Sequence, residues 1–379
     1  MNSFFHKLSV CLGVQCLLLA TSCDYMYDDD LPPCDYHLRF VYDYNMKFAD
    51  AFQKEVEHAT LFIFDQSGVF LQKRQIEGEE LKRNRIDLPL DPGTYQLVTW
   101  AGLCDDCNRC SEMHPGTSTL EDLCVRTQCD ENRNNPNELC GLWHALDTLT
   151  IEKDQTGEKI VNLAKNTNKV RLILQDANGE SLNVDDFDFS ITADNGHMHH
   201  KNQLMDDDSI TYLPYLRENV EVGAVSSYDG LPSQKVALAE LNTMRLMADE
   251  NYRLLVTYKK QKAPVLNVNL NAYLALTKML EHSDMSDQEF LDRQDQYALV
   301  LFLARQDCPE CPDPDPDPDP DPDPDPDPDP DPDPDPDPDP DPDPDPDPDP
   351  DPDPTPDYIY MCIGVEVNDW VIRNNDTDL

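Results

Sequence analysis

Alternation of apolar and polar positions predicts short β-strands along most of the chain. His37-Leu38-Arg39-Phe40-Val41-Tyr42-Asp43-Tyr44 alternates with the period of a half-buried strand. Ala59 to Phe64 reads as a second strand, and Asp65-Gln66-Ser67-Gly68 turns it into Val69-Phe70-Leu71. Ile86 to Leu90 follows, then the turn Asp91-Pro92-Gly93 and a strand from Thr94 to Trp100. Further on, Val170–Leu174, Phe187–Ile191, Val236–Met247, Tyr252–Tyr258 and Val265–Leu270 carry the same β pattern. Tyr297 to Leu303 is almost continuously apolar, as expected of a central strand. Tyr358–Ile363 and Val365–Ile372 end the series. One helix is expected after Ser286-Asp287-Gln288-Glu289, a capping-box pattern. The class is therefore all-β. The length suits two β-sandwich domains, residues 34–153 and residues 157–311 with 358–379.

Two segments break the pattern. Residues 104–140 hold six Cys among Asp, Asn and Arg, with few core-forming residues, and read as a large stapled loop. Residues 312–357 are dominated by Asp-Pro repeats. Proline fixes φ and removes an amide donor at every second position, so neither helix nor sheet can form and the insertion is expected to be disordered, extended chain. At about 3.1 Å per residue the repeats could reach roughly 130 Å. If Tyr297–Leu303 and Val365–Ile372 pair in one sheet, however, the tract must return to where it leaves. Extended chain splays its carboxylates apart, which argues against a tight calcium site, since calcium needs six to eight converging oxygens.

The N-terminus has a different character. A stretch with the single cation Lys7 precedes an apolar run from Leu8 to Ala20, then Thr21-Ser22-Cys23. This is the layout of a secretory signal peptide over residues 1–22, too short to span a bilayer. A Cys directly after small residues resembles a bacterial lipobox, although Leu19 stands four residues before Cys23 rather than three. Lipidation of Cys23 would fix the chain to a membrane. Residues 23–33 form an acidic tether, with Asp24 and Asp28-Asp29-Asp30, similar to the export tag of Bacteroidetes surface lipoproteins. Such a tether is repelled by anionic headgroups and is no membrane binder in its own right.

Charge narrows the partners. The formal net charge is −47. The Asp-Pro repeats supply 21 Asp, and about −26 remains without them. No basic stripe exists, which disfavours nucleic acid. In an exported protein the cysteines beyond Cys23 are expected in disulfides: Cys34, Cys104, Cys107, Cys110, Cys124, Cys129, Cys140, Cys308, Cys311 and Cys362. Their pairing does not follow from sequence. Cys104-x2-Cys107-x2-Cys110 also has metal-like spacing, with Cys124, Cys129, Cys140, His114 or His144 as further ligands, but thiols outside the cell oxidise. Cys308-Pro309-Glu310-Cys311 has redox spacing without a helix N-terminus to activate a thiol, so a disulfide at the base of the tract is expected. His197-Met198-His199-His200, near Asp206-Asp207-Asp208, reads as a polar loop with some capacity for metal. No nucleophile elbow, phosphate loop or HExxH occurs. No enzyme, cofactor or resident metal is expected.

Several strings carry a family resemblance. They are Leu31-Pro32-Pro33-Cys34, Leu38 to Met46, Ala49-Asp50-Ala51-Phe52, Thr60 to Asp65 and Tyr95 to Leu103 in the first half. Asn166 to Leu172, Gln288 to Asp295 and Asn368 to Arg373 continue them in the second. In this order they resemble the FimB/Mfa2 family of Bacteroidetes fimbrial anchor proteins. The Cys-rich loop and the Asp-Pro tract lie outside the resemblance. It implies two tandem transthyretin-like Greek-key sandwiches. It also implies a lipoprotein of the outer membrane that anchors a pilus, limits its length and meets fimbrial subunits by β-strand addition. The strand around Trp370 would then complete its own sheet or a neighbour's, with its own favoured. A stand-alone surface adhesin or glycan-binding lipoprotein is the alternative.

Overall fold

The computed structural model describes residues 36–153, 155–222, 234–278, 282–307, 358–367 and 370–373. Among them two sheets make the N-terminal half. In the first, β1 (Tyr36–Val41) lies between β4 (Ile86–Leu88) and β10 (Gly157–Asn162). β1 runs parallel to β10, Tyr36 facing Gly157 and Val41 facing Asn162. The second has the order β11 (Ala164–Lys165), β9 (Trp143–Ile151), β5 (Gly93–Ala101), β2 (His58–Phe64), β3 (Phe70–Glu77). Leu38 and Phe40 of β1 pack with Leu61 and Ile63 of β2 and Leu97 of β5 between these sheets.

β2 and β5 are buried on their other face as well. Phe62, Phe64, Val98 and Trp100 join a second, larger core that runs on into the C-terminal half. This explains why Leu61-Phe62-Ile63-Phe64 reads as an unbroken apolar run: both faces of the strand are covered. The cover is the Cys-rich loop. Its Cys107, Leu123, Val125 and Leu139 are buried in that core. The expectation of a loop with few core-forming residues is thus corrected. The loop forms β6 (Asn108–Cys110) and β7 (Cys124–Thr127), and β7 pairs with β14 (His197–His199) of the C-terminal half. Its β8 (Asn134–Asn135) joins a C-terminal sheet beside β15 (Ile210–Tyr212).

The C-terminal half opposes two sheets. One has the order β16 (Leu216–Val222), β17 (Gln234–Met244), β12 (Thr167–Asp176), β20 (Gln296–Asp307), β21 (Tyr358–Val367), β22 (Trp370–Arg373). The other runs β19 (Ala263–Asn269), β18 (Arg253–Tyr258), β13 (Phe187–Ala193), β15, β8. Leu172, Leu174, Leu299 and Leu301 share their core with Phe189, Ile191, Leu254 and Val256. β20 is central, as its apolar run predicts. The expected start of the second domain near Gly157 is corrected, because β10 pairs with β1 and the C-terminal sheets begin at Thr167.

The helix expected after Ser286 spans Asp287–Arg293, and the Ser286 hydroxyl accepts the Glu289 amide at 3.1 Å. Short helices at Phe52–Glu55 and Gly78–Arg83 lack a comparable signal, while that at Leu270–Ala275 is capped by Asn269, which accepts the Ala272 amide at 3.1 Å. β20 and β21 are antiparallel neighbours with Asp307 opposite Tyr358. The Asp-Pro tract therefore leaves and re-enters at adjacent positions, as pairing of its flanking strands requires. The tract itself lies outside the described residues.

Candidate functional site

The loop that carries six of the predicted cysteines lies where the two halves meet. It leaves β5 at Gly102 and returns at Gly141. Gly102 has φ +78°, and a Cβ there would stand 2.0 Å from the Gly141 carbonyl oxygen. Only glycine allows backbones so close in that conformation. The neck brings Cys104, Cys107 and Cys140 together, their sulfurs within 4.8 Å of one another. Cys107 Sγ and Cys140 Sγ are 2.9 Å apart, and the Cys140 amide donates to Cys107 Sγ at 3.1 Å.

These three sulfurs are not chemically equal. A hydrogen bond from Cys140, with help from the amides of residues 106 and 107, lowers the Cys104 pKa. Burial raises those of Cys107 and Cys140. Cys110 and Cys124 lie on the adjacent strands β6 and β7, and burial together with Cys124 pushes the Cys110 thiol up to about 12. Cys129 is half-buried further along the loop. Cys362 lies far from this group in sequence, buried on β21, where burial pushes its thiol up to about 11. All seven are free thiols in the structure. Cys23, Cys34, Cys308 and Cys311 lie outside the described residues.

Beside the neck is a cleft of about 520 Å³ lined by Glu55, Trp143, Lys165, Lys169 and Asp295 among others. Lys165 spans it. Its ammonium donates to Glu55 at 3.0 Å and Asp295 at 2.6 Å, 5.1 Å from the Trp143 ring centre. Burial works against that charge, but the two carboxylates outweigh it and the Lys165 pKa is raised. Arg245 makes a two-pronged pair with Asp292, at 2.7 and 2.8 Å, and also donates to the Asn202 carbonyl. Both contacts act as latches: Lys165 joins the two halves, and Arg245 ties the helix at Asp287–Arg293 to the turn that follows β14.

The histidine run is divided by the fold. His197 Nδ1 lies 3.1 Å from Arg126, and burial followed by that guanidinium lowers its pKa. Asp207 goes to arginines as well, 2.9 Å from Arg133 and 3.7 Å from Arg126. It does not join the histidines as a ligand set. His199 and His200 instead meet Glu121 of the loop. Sequence spacing gave no hint of Glu121, which lies 78 residues before His199.

At the far edge of the six-stranded sheet, β22 pairs antiparallel with β21, Val367 opposite Trp370 and Gly364 opposite Arg373. The terminal strand thus adds to its own sheet, the arrangement favoured from sequence.

The comparisons agree in direction. The family model for fimbrillin-A associated anchor proteins Mfa1 and Mfa2 matches residues 31–376. Among solved structures, a candidate adhesin from Bacteroides thetaiotaomicron is 29% identical, with TM-score 0.69, over 91% of this chain and 100% of that one. A candidate polysaccharide-binding protein from the same organism is 28% identical, with TM-score 0.68 and the same coverage. The fimbrial anchor protein Mfa2 from Porphyromonas gingivalis shares the fold at 17% identity and TM-score 0.59, over 90% of this chain and 99% of that one. No curated protein matches the sequence.

Proposed function

Because the chain belongs to the family of fimbrillin-A associated anchor proteins Mfa1 and Mfa2, we propose that it is a surface lipoprotein holding a fimbria at the outer membrane. In this reading the lipid sits on Cys23 and the acidic residues behind it carry the chain to the outer face. The two halves are tandem transthyretin-like sandwiches of Greek-key type. The partners are fimbrial subunits, joined by strand addition, and the protein has no catalytic role.

The observation that carries the reading is the family match along residues 31–376, and β22 deepens it. A strand bonded into its own sheet is not held out to complete a neighbouring subunit; only its outer edge keeps free main-chain groups. A filament that meets such a subunit stops there, which supports a terminal, length-limiting position. The loop cysteines, in this exported setting, form disulfides, Cys107 with Cys140 foremost by proximity.

Deleting the gene is expected to release fimbriae into the medium or to change their length. Cell-bound fimbriae of unchanged length would sink the proposal. Cys23→Ser should leave the fold intact and move the protein from the membrane to the soluble fraction; a variant still in the membrane would overturn the lipid assignment.

The names of the two Bacteroides thetaiotaomicron structures favour a second reading, a stand-alone adhesin or glycan binder. Against it, Trp100, Trp143 and the described tyrosines between Tyr36 and Tyr360 are all buried or half-buried, so they offer no flat aromatic platform for a sugar. Glycan-array binding by the purified chain alone would reverse that preference.

A further inference from the structure

We propose that Glu121, His199 and His200 form a binding site for a divalent transition metal such as zinc, fastening the Cys-rich loop to the C-terminal half. One ring nitrogen from each imidazole and one carboxylate oxygen lie within 4.8 Å of one another. Two imidazoles and a carboxylate are a sufficient protein ligand set for zinc, with a fourth position for water. Unlike the cluster at Cys104, this set survives an oxidising environment.

The backbone on both sides is held firmly. Glu121 sits in a one-turn helix at Leu120–Asp122, closed by a reciprocal cap in which Asp122 accepts from the Thr119 amide at 2.8 Å and its hydroxyl at 3.0 Å. Three residues later Cys124 pairs with His199 across β7 and β14. The turn after His199 closes through the Asn202 amide to the His199 carbonyl at 2.9 Å and the His199 amide to the Gln203 carbonyl at 2.8 Å. Asn202 exchanges two amide hydrogen bonds with Asn166, and His144 Nε2 meets the His200 carbonyl at 2.7 Å. The histidines are therefore positioned before any ligand arrives, and Glu121, well exposed, supplies the adjustable arm.

His200 carries the second observation. The residue is 1% exposed, and its Nδ1 is buried without a hydrogen-bond partner. An unsatisfied buried nitrogen is costly. His199 already meets Glu121 at 2.8 Å, and Lys201 stands 3.8 Å from the same carboxylate as the competing cation. Lys201 is half exposed and can swing away.

The test titrates zinc chloride into the chelator-stripped full chain by calorimetry and reads copper(II) bound to it by electron paramagnetic resonance. One tight equivalent with imidazole nitrogen ligands is expected. Glu121→Gln and His199→Gln should each weaken zinc by about 10- to 100-fold, while Lys201→Met tightens it. Replacing the Asp-Pro repeats by a short Gly/Ser link should leave the tight equivalent in place. Unchanged zinc affinity in both Glu121→Gln and His199→Gln, or a copper spectrum without nitrogen ligands, would overturn the proposal.

Discussion

Residues 104–140 place Cys107, Leu123, Val125 and Leu139 in the core that both halves share, whereas the residues between Asp307 and Tyr358 leave and rejoin one pair of neighbouring strands. Both segments lie outside the strings that resemble the family, and the difference between them is one of composition. The loop contains apolar residues at strand spacing and glycines where its neck must close. The tract offers only Asp and Pro through its repeats, and none of the large apolar residues that build a core. An insertion becomes part of a fold when it has surface to bury; otherwise it contributes only chain entropy at its ends.

Leu123→Ala tests the comparison most severely. Leu123 is fully buried, and truncation should cost about 2–5 kcal/mol of stability in chemical denaturation. No loss of stability would mean that the loop is not part of the core. Gly102→Ala attacks the neck, where the new methyl meets the Gly141 carbonyl at a positive φ. A cost of about 1–3 kcal/mol is expected from the same measurement.

The tract should behave in the opposite sense. Replacing its roughly fifty residues by a six-residue link shortens the closed loop by about three doublings. Stability should then rise, by at most about 2 kcal/mol. A fall would show that the tract packs on the folded part.

Acid sharpens the comparison on the side of the loop. His144 packs on Trp100, and burial pushes its imidazole down to about 4. The unfolded chain, with an ordinary value near 6.5, binds that proton more readily. Stability is therefore full above about pH 6.5 and falls toward pH 4, by up to about 1.4 kcal/mol per unit from this residue. Denaturation midpoints across that range measure the slope, and His144→Gln should flatten it.

Much of the fold was legible from side-chain periodicity. Strand period, the Ser286 cap and the central rank of Tyr297–Leu303 are local properties, carried by neighbours a few residues apart. Pairing of the strands that flank the tract needed only one further step, that two apolar runs belong to one sheet. The unbroken run Leu61-Phe62-Ile63-Phe64 also held a signal that the five-stranded sheet is covered twice, although not by what.

Three features came from tertiary structure. β10 returns to lie parallel to β1 across more than a hundred residues, which moves the boundary between halves. The Cys-rich loop lends two strands to one sheet and a third to another, both shared with the C-terminal half. Glu121 reaches His199 and His200 only because β7 pairs with β14. By itself the sequence determined which residues alternate and which turns must bend, since steric preference and burial of one face act within a strand. Which strand lies beside which was decided by the packed whole, because register and partner are settled only when every apolar face has found a cover.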